Sequence, residues 1–336
     1  MKILIITSIL LSVFTNCTAQ KKNNKKMKNE IENSNPLLCD PETGICEMPN
    51  GQNKGGATNN HQTKDKLVKI IYFTDPICSS CWGIEPQLRK LKLEFGNNFE
   101  IEYRMGGLLP DWSYNSGGIS KPSDVAHHWD EVSSYYDMPI DGDIWLEDPL
   151  NSSYPPSIAF KAAQLQNKEK AILFLREMRE SVFLHKKNIA KWEHITTAAI
   201  KVGLDVNKLK ADFEGQAKTD FEKDLQLARE YGVRGFPTLF FVDGAGHKEL
   251  VYGSKPYAAY ENAIIKLLPD AVKSNYDKNW KWLFSTYPTL TAKEFSELSG
   301  TPRMEADKVL DNQVATGRLE KNTTKNGAIW KLKLVQ

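Results

Sequence analysis

The order of hydrophobic patterns along the chain predicts an α/β domain that is interrupted by helices. Apolar runs predict strands, and apolar residues three and four positions apart predict helices. Strands are predicted at 67–74, 99–104, 238–242 and 249–252, and helices at about 81–95 and 257–268. The spacing between about 106 and 230 is mainly helical. This order is that of an α/β arrangement with an all-helical insertion.

A different pattern occupies the C-terminal residues 273–336. A capping box at 291–294 precedes a short helix. Thr301 is predicted to cap a further helix with Pro302 at its first position. The Asn-Gly pair at 326–327 separates two strand-like runs, as in a β-hairpin. Two helices followed by a hairpin predict a small winged-helix-like module.

The first nineteen residues are predicted to be an export signal. Lys2 gives a charged start, and residues 3–14 form an apolar run that is short for a bilayer span. Cys17 follows this run as in a bacterial lipoprotein, where the cysteine becomes lipidated. The alternative is ordinary cleavage after Ala19. Both alternatives predict an exported protein of the periplasm or cell envelope, and the first adds a membrane anchor at Cys17.

The balance of charge does not favour nucleic acid as a partner. The 336 residues include 44 Lys and Arg against 42 Asp and Glu, a formal charge of +2. Residues 276–336 carry ten basic and seven acidic side chains, so the module is interpreted as a packing or protein-interaction unit. The lysine-rich cluster at 21–28 would lie against an anionic membrane beside the anchor, or remain solvated.

Residues 20–66 are predicted to form a flexible tail that contains cysteines. They are rich in Asn, Lys, Gly and Gln and poor in apolar residues. The predicted organisation is a signal peptide at 1–19, this tail, a main domain at 67–272 with its insertion at about 106–230, and the module at 273–336. Five cysteines are present, and removal or lipidation of Cys17 leaves two close pairs, as an oxidising compartment favours.

The pair Cys78 and Cys81 carries the strongest chemical signal. Two serines separate the cysteines, a strand-like run precedes them, and a helical pattern follows. Unpaired N–H groups at a helix start favour the thiolate of the first cysteine. The second cysteine, one turn away, can attack a mixed disulfide and release the partner. The spacing therefore predicts thiol–disulfide exchange, in which a solvent-accessible sulfur at Cys78 attacks and Cys81 resolves.

Two further features indicate a thioredoxin fold. Zinc sites share the spacing, but they need four ligands, and no second pair lies nearby in sequence unless the tail cysteines supply it. Pro86 lies five residues after Cys81, where thioredoxin-fold helices carry a kinking proline. Residues 232–241 resemble the segment that carries the cis-proline of that fold. Pro237 is therefore the predicted cis-proline, and the backbone of Phe236 is predicted to bind a substrate strand.

The chain resembles the DsbA family, in the branch that contains FrnE-type isomerases and YjbH-type proteins. The resemblance is carried by residues 75–83, 103–109 and 152–155 together with the winged-helix-like end, and covers about 66–335. It implies a protein thiol–disulfide oxidoreductase or disulfide isomerase that needs no metal or organic cofactor. The implied partners are proteins with cysteines or disulfides and a protein that recycles the redox pair.

The same resemblance leaves two other functions open. YjbH-type proteins act in the cytosol as proteolysis adaptors, so a non-catalytic adaptor on a thioredoxin scaffold is the main alternative. A redox-sensing protein that works through the C-terminal module is a third hypothesis. The predicted export signal favours the oxidoreductase.

The dipeptide between the cysteines bears on the reduction potential of the Cys78/Cys81 couple. DsbA itself has a histidine there that stabilises its thiolate, whereas Ser79 and Ser80 offer hydroxyl groups alone. We therefore expect a couple less oxidising than DsbA, between DsbA and thioredoxin.

Two hypotheses remain open for Cys39 and Cys46. They could form a small local disulfide across the turn-forming residues between them. They could instead be a second redox pair that exchanges with Cys78 and Cys81, since a flexible linker of about 30 residues reaches roughly 30 Å.

Other polar and aromatic residues near the motif are weaker candidates. Asp75 or Glu85 could accept a proton from Cys81, although surface exposure is expected for each. Adjacent histidines at 127–128 point to different faces of a helix, so a metal site is not favoured. Four tryptophans, at 82, 112, 129 and 145, are expected to form core or a substrate groove.

Overall fold

The computed structural model describes residues 39–40, 44–47, 67–113 and 120–333. These residues belong to one unit, Ser34–Gln336. The predicted signal peptide, with Cys17, and most of the predicted tail lie outside the described residues. None of the helices that the structure describes combines the length and the apolar character needed to cross a bilayer.

The strands and helices that the sequence pattern predicts occur in the predicted order, together with short strands that it does not predict. The strands are β1 (Cys39–Asp40), β2 (Ile45–Glu47), β3 (Val68–Thr74), β4 (Phe99–Met105), β5 (Gly235–Phe236), β6 (Thr238–Val242), β7 (Lys248–Tyr252), β8 (Thr289–Thr291), β9 (Leu319–Thr324) and β10 (Gly327–Leu332). The helices are α1 (Ser79–Gly83), α2 (Glu85–Phe95), α3 (Pro122–Tyr136), α4 (Ile144–Glu147), α5 (Tyr154–Gln166), α6 (Lys168–Leu184), α7 (Trp192–Lys201), α8 (Val206–Glu214), α9 (Gln216–Glu230), α10 (Tyr257–Leu267), α11 (Trp280–Thr286), α12 (Ala292–Ser299) and α13 (Arg303–Ala315).

The central sheet has four strands in the order β4-β3-β6-β7. β3 and β4 are parallel, and β6 and β7 run antiparallel to their neighbours. β3 is apolar almost throughout because it is buried between other layers, and α2 and α10 cover one face of the sheet through a shared apolar cluster. This is the thioredoxin fold, and the predicted fold class is confirmed.

The predicted first helix is two helices. α1 ends at Gly83, Ile84 joins it to α2, and Pro86 lies in the first turn of α2. A proline is tolerated at a helix start but not inside one. Pro86 therefore marks the break, as the kinking proline of the fold was expected to do.

The helical insertion consists of α3 to α9 and carries much of the large apolar core. Trp82 of α1 stacks on Phe183 of α6, and Trp129 packs against both Phe183 and Trp145. These rings are fully or almost fully buried. Trp112 packs edge-on against Trp145 from the periphery. The tryptophans therefore form core, one of the two roles expected for them.

The C-terminal module has the helix–strand–helix–helix–strand–strand order of a winged helix, with a sheet in the order β8-β10-β9. The predicted capping box is present: the Thr291 side chain accepts from the Glu294 N–H, and Glu294 accepts from the Thr291 N–H. The prediction that Thr301 caps the next helix is wrong. α13 begins one residue later, with Pro302 as its cap, while the Thr301 N–H and hydroxyl bond to Ser299.

A buried ionic cluster joins the module to the main domain. The guanidinium of Arg176 in α6 donates to both carboxylate oxygens of Glu294, at 2.8 and 3.1 Å. Arg89 of α2 lies 3.2 Å from the same carboxylate. Burial by itself would raise the pKa of Glu294, but the charges of Arg176 and Arg89 outweigh it and lower that pKa. The ionised pair therefore links the module to α2 and α6, and loss of either partner would leave a buried charge less well compensated.

Candidate active site

Cys78 lies at the cap of α1, where the sequence predicts the reactive sulfur. Its backbone is extended, and its Sγ accepts a hydrogen bond from the Cys81 N–H at 3.1 Å. The two cysteines form a disulfide. Because the same N–H would remain beside Cys78 Sγ after reduction, it would favour a thiolate at that position.

Pro237 follows a cis peptide bond, as predicted. The Phe236–Pro237 bond is cis, and it lies between the short strand β5 and strand β6. The Pro237 carbonyl accepts from the Gly253 N–H at 2.9 Å, and the Thr238 hydroxyl donates to the Gly235 carbonyl at 2.6 Å. The segment is therefore held from two sides, which leaves the backbone of β5 available to pair with another strand.

The ring of Phe236 explains a glycine in the sequence segment 103–109. Phe236 is fully buried, and a Cβ atom at Gly106 would overlap its ring. Only glycine leaves room for this approach. The Gly106 N–H also donates to the Thr74 carbonyl at 2.8 Å, which ties this contact to the end of β3, close to the cysteine pair.

The strand that pairs with β5 belongs to the chain's own tail. β2 runs antiparallel to β5, with Cys46 opposite Phe236 and Glu47 opposite Gly235. Cys46 Sγ lies 3.3 Å from Cys78 Sγ. The structure thus brings together Cys78, Cys81, Phe236 and Cys46 of the predicted site residues. The backbone of Cys39 is opposite that of Cys46 in β1, and the side chain of Cys39 lies outside the described part of the structure.

The sulfur atoms of this site are enclosed. Cys46, Cys78 and Cys81 each have 0% of their surface exposed. The sequence predicted a solvent-accessible sulfur at position 78, and in the state described here that prediction is wrong. The sulfur atom in contact with Cys78 from the tail side is that of Cys46.

Asp75 is buried, so the expectation that it lies on the surface is wrong. Its carboxylate accepts from the N–H groups of Ile77 and Leu108, at 3.0 and 2.8 Å, and from the Ser153 hydroxyl at 2.8 Å. Burial raises the pKa of Asp75 to about 6, against the opposing effect of these donors. The Asp75 carbonyl accepts from the Cys78 N–H, so Asp75 shapes the loop that leads into the motif.

Glu85 is also mostly enclosed rather than exposed. Its carboxylate pairs with Arg179, whose side chain is buried. Arg179 in turn donates to the Thr74 hydroxyl at 2.7 Å. Glu85 is therefore one partner of an ion pair beneath the motif, because the buried guanidinium of Arg179 balances its negative charge.

Two hydroxyl groups extend the site beyond the predicted residues. The Ser80 hydroxyl lies 2.7 Å from the Tyr136 hydroxyl and 3.4 Å from Cys46 Sγ. Tyr136 comes from the helical insertion, and nothing in the sequence around it marks it as a site residue. Ser153 is likewise placed by tertiary contacts alone. The segment 152–155 was noted for its family resemblance, and its Ser153 proves to contact Asp75.

The histidines noted in the sequence lie apart from the cysteines. His127 is exposed and 3.1 Å from Glu131, whereas His128 is largely buried on the inner side of α3. Among the described residues, no cluster of three or more His, Cys, Asp and Glu side chains has the spacing of a metal site.

Comparison with known proteins agrees with the fold and adds a functional association. The family model described as Thioredoxin matches residues 72–262. The ClpXP adapter protein SpxH of Halalkalibacterium halodurans is 34% identical over 306 residues, which cover 88% of this chain and 97% of that protein. The SpxH protein of Bacillus subtilis is 29% identical over 84% of this chain and 95% of that protein. The chain therefore belongs to the thioredoxin family and, within it, to the group of relatives that includes these SpxH proteins.

A solved structure supports the fold alone. The crystal structure of a candidate protein disulfide isomerase from Nitrosomonas europaea superimposes with a TM-score of 0.51 at 21% identity, and covers 60% of this chain and 96% of that one. A thioredoxin fold with a helical insertion is thus shown for the main domain, whereas the assignment to the FrnE/YjbH-like branch of the DsbA family remains a prediction.

Proposed function

We propose that this protein binds extended protein segments along β5 and exchanges disulfides with them through Cys78 and Cys81. Cys78 would attack a disulfide of the partner, and Cys81 would resolve the mixed disulfide. Phe236 and Pro237 would form the binding edge. The step moves two electrons from the Cys78/Cys81 dithiol to the partner disulfide, or in the opposite direction when the site begins as a disulfide.

One observation carries the proposal: the strand edge beside the cis-proline already holds a strand that presents a sulfur to Cys78. Cys46 is opposite Phe236 in register, and its sulfur is 3.3 Å from Cys78 Sγ. A partner strand in the same register would place its own cysteine at the same point. Backbone pairing supplies affinity that does not depend on the partner's sequence.

Reduction of a model protein disulfide tests this function. The chain with Cys39→Ser and Cys46→Ser should accelerate reduction of insulin by dithiothreitol, because no sulfur of the tail then competes with insulin for Cys78. Adding Cys78→Ser should abolish the acceleration, and adding Cys81→Ser should leave a mixed disulfide with insulin. Equal rates with and without the protein would overturn the proposal.

A second candidate function is that of an adapter that presents proteins to the ClpXP protease. The relatives that match over nearly the whole chain are named ClpXP adapter proteins, and this association favours the adapter over an enzyme. The same binding edge and the C-terminal module would hold the partner, and thiol chemistry would be dispensable.

A double variant separates the two candidates. Cells that lack the protein should be complemented with the wild-type chain or with the Cys78→Ser/Cys81→Ser chain, and protein half-lives should then be compared across the proteome. Restored degradation of specific proteins by the double variant would support the adapter. Restoration by the wild-type chain alone would support exchange chemistry.

The location of the mature protein bears on the same choice. Export, with cleavage after Ala19 or lipidation at Cys17, stays a proposal that rests on residues 1–19. Fractionation with N-terminal mass spectrometry decides it. A mature start at Cys17 or Gln20 in the cell envelope would favour exchange chemistry, and an intact Met1 in the cytosol would favour the adapter.

A further inference from the structure

The tail strand that contains Cys46 is held on the main domain at two points. β2 pairs with β5. At the turn that leads into β2, the Ser254 N–H donates to the Gly44 carbonyl at 2.8 Å. Gly44 has a φ of +67°, and a Cβ atom at this position would come within 2.6 Å of the Ser254 nitrogen. The turn that leads into β2 therefore requires glycine for its conformation and for its close fit.

The sulfur of Cys46 occupies the position from which disulfide exchange would proceed. It contacts Cys78 Sγ at 3.3 Å and the Ser80 hydroxyl at 3.4 Å. Tyr136 lies on the far side of that hydroxyl at 2.7 Å. The Ser80 hydroxyl can donate a hydrogen bond to Cys46 Sγ when that sulfur leaves as a thiolate. This hydrogen bond would stabilise the leaving group.

Cys46 also takes part in a disulfide of its own. Its backbone partner across the two short tail strands is Cys39. A disulfide-bonded sulfur, that of Cys46, therefore touches the attacking sulfur of the Cys78/Cys81 pair, and the backbone register makes Cys39 the bonding partner that we assign to it.

From this juxtaposition we propose that the tail is a built-in substrate that occupies the binding edge and exchanges its disulfide with Cys78 and Cys81. The proposal rests on the proposed function, because it needs Cys78 to be reactive. It adds a partner, the chain's own strand β2 with Cys46, and a form of control, because an external strand must displace β2 to reach Cys78.

The exchange balances without any further reagent once the Cys78/Cys81 pair is reduced. The Cys78 thiolate attacks Cys46 Sγ, the Cys39–Cys46 bond breaks, and Cys39 leaves as the thiolate. The Cys81 thiolate then attacks Cys78 Sγ, the Cys46–Cys78 bond breaks, and Cys46 leaves as the thiolate. The tail pair is reduced by two electrons, and the Cys78/Cys81 pair is oxidised by the same two.

A trapping experiment with the full chain tests the proposal. Cys17→Ser removes the unrelated sulfur, and Cys81→Ser removes the resolving sulfur, so that three thiols remain. The fully reduced protein receives one equivalent of diamide, is quenched with acid and alkylated, and its disulfides are mapped by mass spectrometry. We expect a Cys46–Cys78 disulfide in the monomer, in a proportion that does not change on dilution. A map with Cys39–Cys46 alone would overturn the proposal.

Substitutions at two glycines of the tail supply a second test and its control: Gly44 is the test position and Gly51 is the control position. Gly44→Ala should lower the Cys46–Cys78 share, and should speed alkylation of Cys78 in the reduced chain by about tenfold if the substitution costs the docked strand about 1.4 kcal/mol. Gly51→Ala changes a tail glycine outside residues 39–47 and should do neither. Identical behaviour of the two variants would mean that docking of the turn does not cover Cys78.

Reaction with glutathione disulfide separates failure of this proposal from failure of the proposed function. If Cys78 of the trapping variant forms a mixed disulfide with glutathione but never with Cys46, the tail is not a substrate and the exchange site stands. If Cys78 reacts with neither, both proposals fall.

Discussion

The Sγ atom of Cys46 lies 3.3 Å from the Sγ atom of Cys78, although the two residues are 32 positions apart. The contact exists because the backbone of Cys46 pairs with Phe236, the residue that precedes the cis-proline. One strand edge thus places a tail cysteine against the motif cysteine. The same edge gives a physical basis for binding other proteins in either candidate function.

The contact between Gly106 and Phe236 predicts a variant that disturbs the binding edge. A Cβ at Gly106 would overlap the Phe236 ring, so Gly106→Ala should force β5 to shift, at a cost of roughly 1–3 kcal/mol of unfolding free energy. Urea unfolding measures this loss. Insulin reduction in the background with Cys39→Ser and Cys46→Ser should fall as well.

Gly246→Ala is the control for that variant. No atom lies within 4 Å of a Cβ at Gly246, so the cost there comes from its φ of +88° alone, about 1–2 kcal/mol. Its insulin activity should be unchanged. Equal losses of activity in the two variants would contradict a special role for the Gly106–Phe236 contact.

The buried carboxyl of Asp75 predicts a pH-dependent difference in stability. Its pKa rises from an ordinary 3.8 to about 6 in the folded protein, so the folded state holds this proton more tightly than the unfolded state. The stabilisation is complete below about pH 4 and is lost as pH rises through about 6. The size of the change is on the order of 3 kcal/mol, since one pKa unit corresponds to about 1.4 kcal/mol.

Comparison of the wild-type chain with Asp75→Asn measures that contribution. The unfolding free energy of wild type minus that of the variant should decrease between pH 4 and 6 and stay level from pH 7 to 8. The variant should be less stable at every pH, because an amide nitrogen cannot accept from the Ile77 or Leu108 N–H that it would face. A flat difference from pH 4 to 8 would show that Asp75 ionises with its ordinary pKa.

The pair Glu294–Arg176 predicts how the C-terminal module is held. Glu294→Gln removes the carboxylate charge that faces Arg176 and Arg89. Breaking a buried pair costs up to about 3–5 kcal/mol, and the Glu180 carboxylate, which still pairs with Arg176 at 2.7 Å, reduces that cost. Glu297→Gln alters a partly exposed pair with Lys293 and should cost less than about 1 kcal/mol. Urea unfolding of both variants checks this ranking, and equal costs would contradict the buried pairing.

Low pH should weaken the ion pair between Glu294 and Arg176. The pKa of Glu294 is lowered in the folded protein, so its contribution to stability is present above its ordinary value of 4.5 and is lost as pH falls through the lower, folded value. The stability difference between wild type and Glu294→Gln should therefore shrink in acid. A difference that grows as pH falls would contradict this assignment.

Local sequence signals predicted the parts of the site that depend on neighbouring residues. The spacing of Cys78 and Cys81, the break near Pro86 and the cis bond before Pro237 follow from short motifs with fixed backbone consequences. The winged-helix order was predicted for the same reason, since its capping box at Thr291 is encoded within four residues.

Long-range packing decided the rest. Asp75 looks like an ordinary loop residue in the sequence, and its burial depends on Ser153 and Leu108 from other segments. Residue types alone left two hypotheses open for Cys39 and Cys46, a local disulfide or a second redox pair. Cys46 lies beside Cys78 because of the register of β2 against β5, and the sequence does not reveal that register. Tyr136 could not be predicted, since its hydroxyl meets Ser80 across 56 positions.

The central claim is that Cys78 and Cys81 form a reversible redox couple in the folded protein, and a redox titration tests it most directly. The chain with Cys17, Cys39 and Cys46 replaced by serine should be equilibrated in dithiothreitol and glutathione buffers, with mass tags counting free thiols and circular dichroism following the fold. The account predicts a two-electron transition between about −270 and −120 mV, the values of thioredoxin and DsbA, while the protein stays folded. A disulfide that is reduced only when the protein unfolds would contradict it.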